Sequence, residues 1–143
     1  MRFLILVPGN EQSEVGDLPS EEIFVEMTKY NQQLVDAGVM LAAHGLYPTS
    51  KAAKVKFSGG KRTVIDGPFS ETKEVIAGFW LIEAKSMEEA IEWVKRAPFD
   101  GGVEIQIRPV QDTEDLGDAV PEEVHIAEQR MSEQMAAQQR QRK

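Results

Sequence analysis

At 143 residues the chain has the length of one ordinary domain, with room for a real core and no cysteine to staple it. The missing thiols exclude disulfides, cysteine nucleophiles and zinc–sulfur sites, and they suit a reducing cytoplasm. A net charge of −8 argues against binding to nucleic acid, which needs a basic surface to neutralise phosphates.

The chain opens on Phe3-Leu4-Ile5-Leu6-Val7, closed by Pro8, which predicts a strand over 2–8 buried on both faces. This run is too short for a signal-peptide core or a membrane span, so no membrane partner is expected. A polar loop follows from Gly9 to Gly16. Ser20 can then cap a helix over 21–37, and Glu21 and Glu22 favour the positive end of its dipole. Ile23, Met27, Tyr30 and Leu34 recur at helical spacing as one apolar stripe, and Gly38 supplies the C-cap.

Val39 to Leu46 predicts a second strand, whose alternation puts Met40, Ala42, His44 and Leu46 on one face. A hairpin comes next, with Ala53 to Phe57 rising, Ser58-Gly59-Gly60-Lys61 turning and Arg62 to Asp66 returning. Lys51, Lys54, Lys56, Lys61 and Arg62 crowd this segment. They read either as a solvated edge protected from strand pairing or as a positive rim for a small anionic ligand. The stretch Asp66-Gly67-Pro68-Phe69-Ser70-Glu71-Thr72-Lys73-Glu74 then interrupts the apolar pattern before a long strand over 75–84.

Ser86 and Glu89 form a capping box for a second helix that turns Met87, Ala90, Ile91, Val94 and Ala97 inward and is limited by Pro98. Val103 to Arg108 alternates as a last strand. The order is β-α-β, a hairpin, then β-α-β. This predicts an α+β, ferredoxin-like antiparallel sheet over residues 1–110 with both helices on one face. The other face is apolar and needs a cover, for which a homodimer packed through the open sheet face is the natural solution. Residues 111–143 are different: an acidic linker precedes a Gln-rich C-terminal helical extension with a thin stripe of Val124, Ala127, Met131 and Met135. That helix is expected from about 121, fraying toward its Gln/Arg end, and His125 within it is expected to be solvated.

With Asp66-Gly67-Pro68-Phe69, Glu71-Thr72-Lys73-Glu74 and Gly78-Phe79, residues 1–110 resemble the DGPF proteins of the YCII-related family. Asp36-Ala37-Gly38-Val39, Gly45-Leu46, Gly59-Gly60-Lys61, and Glu89-Ala90 with Trp93 agree with that resemblance. It implies a dimeric α+β barrel of ferredoxin-like protomers and no settled activity, with some DGPF members linked to alternative sigma factors. Two features depart from the compact YCII proteins. Residues 20–38 hold no histidine, and Ala97-Pro98-Phe99 stands where those proteins carry an acid before the proline.

Candidate chemistry centres on His44 and Asp66 as an acid–base pair, on the condition that the carboxylate lies across the sheet from the imidazole and orients it. Asp66 also has a structural role open to it, as a turn former before Gly-Pro. Arg62, Phe69, Thr72, Lys73 and Glu74 are the candidate ligand contacts, with Arg62 or Lys73 fixing an anionic group. No phosphate loop, dinucleotide fingerprint, paired-histidine zinc motif or nucleophile elbow is present, so no cofactor and no metal are expected. The sequence therefore predicts a small-molecule-binding dimer, with cofactor-free acid–base catalysis as one form of it. The alternative is a non-catalytic regulatory or interaction module.

Overall fold

The computed structural model describes residues 1–69 and 75–142, arranged as two compact units, Met1–Val110 and Gln111–Lys143. In the first, strand β1 (Arg2–Pro8) leads through a one-turn helix α1 (Glu11–Glu14) to helix α2 (Glu21–Asp36) and strand β2 (Met40–Gly45). The hairpin strands β3 (Ala53–Ser58) and β4 (Lys61–Asp66) follow, then strand β5 (Ile76–Glu83), helix α3 (Met87–Lys95) and strand β6 (Gln106–Pro109). The main sheet runs β2-β5-β1-β6 with every pairing antiparallel. This is the ferredoxin-like order, and the hairpin forms a two-stranded sheet of its own.

Alternation along the two central strands builds the core. Phe3 and Ile5 of β1 and Trp80 and Ile82 of β5 are buried against Tyr30 and Leu34 of α2 and Ala90 of α3, so both long helices cover the same face. Each such large apolar side chain stabilises the fold by roughly 1.5–3 kcal/mol. The Tyr30 hydroxyl donates to the Trp93 carbonyl at 2.7 Å and ties α2 to α3. Its ring meets Trp80 edge-on at 5.7 Å between centroids. Burial pushes the Tyr30 phenol up to about 12, with the Arg96 charge working the other way.

Several sequence expectations change in the structure. Ser20 caps α2 as expected, accepting from the Ile23 amide, but Ile23 itself stays exposed because the stripe reaches the core only from Met27 onward. On α3 the residue that stays out is Ile91. A bulge between Met40 and Ala42 puts Met40 opposite Ile82 on the helix-covered face and Ala42 opposite Leu81 on the other. Met40 and Ala42 therefore do not share a face. The last strand is shorter than Val103 to Arg108, beginning at Gln106. Within the loop expected from Gly9 to Gly16, Asn10 caps α1 through a reciprocal pair of bonds with Ser13.

The second unit consists of a 3-10 segment (Thr113–Ala119) and helix α4 (Glu122–Gln141), whose assigned span includes the Gln/Arg end. His125 is not simply solvated: its Nε2–H donates to the Gly117 carbonyl at 3.0 Å. Among the described residues no helix is long and apolar enough to cross a membrane.

Candidate functional site

The corner at Asp66 is built by close backbone approach. Asp66 ends β4 opposite Ala53. The next amide, Gly67 N–H, donates to the Ala52 carbonyl at 2.8 Å. A Cβ on Gly67 would lie 1.6 Å from the Thr49 carbonyl oxygen, so only glycine fits. The Phe69 amide then donates to Thr49 Oγ1 at 3.0 Å.

Thr49, in a 3-10 turn (Thr49–Lys51), is the buried polar residue of the described chain. Its amide donates to Glu14 Oε1 at 3.1 Å and its hydroxyl to Glu14 Oε2. The relay from Phe69 N–H through the Thr49 hydroxyl to the Glu14 carboxylate uses one donor and one acceptor of the hydroxyl and leaves neither idle. This fastens the corner to α1. Nearby, the Gly9 amide donates to the Val75 carbonyl at 2.7 Å.

The predicted contact residues lie apart. The Phe69 ring is capped by Lys54 Nζ at 4.2 Å, and Arg62 lies over Phe57 at 4.5 Å. Thr72, Lys73 and Glu74 fall outside the described residues. His44 is opposite Phe79 of β5, not Asp66, and their rings are 5.7 Å apart. Asp66 belongs to the hairpin sheet, and no hydrogen bond or ion pair joins it to His44 among the described residues. No three His, Cys, Asp or Glu side chains converge as metal ligands among those residues either.

A different feature adjoins His44. Gly45 and Gly78 face each other across β2 and β5, next to the Ala43–Trp80 pair. Alternation sets both glycines on the helix-covered face. A Cβ on Gly78 would lie 3.0 Å from the His44 carbonyl oxygen, whereas one on Gly45 would meet nothing within 4 Å, which leaves a gap in the layer. The gap opens into a cleft of about 350 Å³ that includes Val7, Pro19, Met27, Asn31, Trp80 and Phe99 in its lining. This volume is at the small end of ligand pockets. Trp80 Nε1–H donates to Asn31 Oδ1 at 2.8 Å, and Trp80 meets Phe99 edge-on at 6.0 Å. Among the described residues lining the cleft, His44 alone has an ionisable side chain, and its ring lies with Phe79 toward the other face.

Sequence reasoning missed Glu14, Thr49 and Asn31. Asn31 had a signal, since it follows Met27 by one helical turn and breaks an apolar stripe with a carboxamide. Two glycines in strands expected to pair were a second signal for a gap. Glu14 and Thr49 had none, because their meeting depends on how two loops close.

A family model described as the YCII-related domain matches residues 1–114. The chain is also 36% identical over 75 residues to an uncharacterised protein of Rhizobium meliloti (strain 1021). That match covers 52% of this chain and 60% of the relative's length.

Proposed function

The chain belongs to the YCII-related domain family, and we propose that it is a small-molecule-binding member whose ligand occupies the cleft beside Gly45 and Gly78. The observation that carries this reading is the glycine pair itself. Gly78 lets the two strands approach closely and Gly45 leaves open space above them, beside an aromatic and apolar hollow that includes the Asn31 carboxamide. The His44 ring lies with Phe79 on the other face of the sheet, so the reading for this cleft is one of binding, with no acid–base role given to His44 there.

The same reading places a second copy over the face of the sheet turned away from the helices. Leu4, Leu6, Phe79 and Leu81 alternate onto that face, half-buried and outside the helix-side core. The setting it supposes is cytoplasmic.

The test is to fill the gap. A Cβ at Gly45 would have no neighbour within 4 Å, so Gly45→Leu adds bulk to the cleft without a clash at its base. Small compounds are titrated while the Trp80 indole N–H is followed by NMR. Those that shift it should bind at least about tenfold more weakly to Gly45→Leu, with the melting temperature within a few degrees of the parent. Undiminished binding to the variant would place the ligand elsewhere.

A further inference from the structure

Resting on the binding role proposed for this cleft, we infer that Asn31 reads a hydrogen-bond acceptor on a neutral, largely apolar ligand, a carbonyl compound by chemical class. The orientation of the carboxamide is set by its neighbour. An indole N–H can only donate, so the atom that Trp80 Nε1 meets at 2.8 Å must be the Asn31 oxygen. With the oxygen engaged, the donors left to a ligand are the two N–H bonds of Nδ2. Asn31 makes no second hydrogen bond among the described residues. It is half-buried on α2, one turn from Met27, and both residues line the cleft.

The rest of the lining sets the charge and body of the ligand. Among the described residues no lysine, arginine, aspartate or glutamate lines the cleft. A carboxylate entering it would give up water for one neutral amide, at a larger desolvation penalty than a ketone, ester or amide carbonyl meets. The side chains of Trp80, Phe99, Met27 and Val7 offer apolar and aromatic surface for the remainder of the molecule. Two cationic groups of the hairpin, Arg62 and Lys54, stack on Phe57 and Phe69.

Three probes of similar size separate the possibilities: acetophenone, which carries a carbonyl; ethylbenzene, which lacks it; and benzoate, which is charged. Each is titrated into the full chain at pH 8 with the Trp80 indole N–H as reporter. The parent should bind acetophenone about fivefold more tightly than ethylbenzene, as one neutral hydrogen bond would give, and benzoate most weakly. Asn31→Asp keeps an oxygen for the Trp80 indole and replaces the donor with a carboxylate, while Asn31→Ala removes both. In each variant the preference for acetophenone over ethylbenzene should vanish while ethylbenzene still binds. Equal binding of acetophenone and ethylbenzene to the parent, or a preference that survives in both variants, overturns the role of Asn31 and leaves the cleft reading standing. Tightest binding by benzoate overturns the neutral class. Probes that shift no Trp80 signal at all overturn the cleft reading and this inference with it.

Discussion

The four-stranded sheet and the hairpin are written in the same code and end in opposite environments. In β1 and β5 alternate residues are buried: Phe3, Ile5, Trp80 and Ile82. In β3 and β4 the alternation is just as regular, with Val55 opposite Val64 and Phe57 opposite Arg62. Yet Val55 is 52% exposed, Val64 65% and Phe57 68%. Period-2 patterning specifies a strand and its two faces, whereas burial depends on what lies against the face. Helices α2 and α3 cover the main sheet. The hairpin is held by its ladder, by a two-residue Gly59-Gly60 turn with both φ positive, and by cation–π stacking.

The largest effects should come where the main sheet and its attachments are closest packed. Ile82→Ala should cost about 2–5 kcal/mol in urea denaturation, because a fully buried side chain leaves a cavity. Gly67→Ala should be in the same class or worse. Its Cβ would sit inside the Thr49 carbonyl, which backbone cannot yield cheaply. A Gly67→Ala protein that melts with the parent would show that the 48–52 turn can move away from the corner.

Thr49→Val should cost about 1–3 kcal/mol, since it strands the Phe69 amide and leaves the Glu14 carboxylate only its bond from the residue-49 amide. Hydrogen exchange at the Phe69 amide is the specific reading, and it should lose protection before the β1–β5 ladder does. Loss of protection throughout at once would make the corner part of the core's cooperative unit.

The core also predicts a pH response. The Tyr30 phenol is raised to about 12 by burial, against about 10 in an unfolded chain. Between those values the unfolded state has lost the proton and the folded state keeps it. Stability from this group is therefore intact below pH 10 and falls as pH rises toward 12, by about 2 kcal/mol. Tyr30→Phe should flatten that slope in denaturation measured across the range, after allowance for its lost bond to the Trp93 carbonyl.

Much of the fold was legible in the sequence, because helix caps and apolar periods act locally: Ser20 and Ser86 cap as expected, and the β-α-β order sets the sheet. The site was less legible. His44 was visible as a residue, but its neighbour across the sheet follows from a register that one bulge shifts, and that neighbour is Phe79. The Glu14–Thr49–Phe69 relay joins residues 35 and 20 positions apart through loops, where no periodic signal reaches.

The smallest effects belong to the hairpin, and they decide what its exposure means. Val64→Ala should change stability by less than about 0.5 kcal/mol, as a surface substitution does. Phe57→Ala should cost less than about 1 kcal/mol, the worth of an exposed stack with Arg62. A two-stranded ribbon with both faces wet is marginal on its own, so these values hold only if no other surface covers Val55, Phe57 and Val64. A Val64→Ala cost approaching that of Ile82→Ala, and growing with protein concentration, would mean that a second copy covers the hairpin in solution. The difference between the two sheets would then lie in which chain supplies the cover.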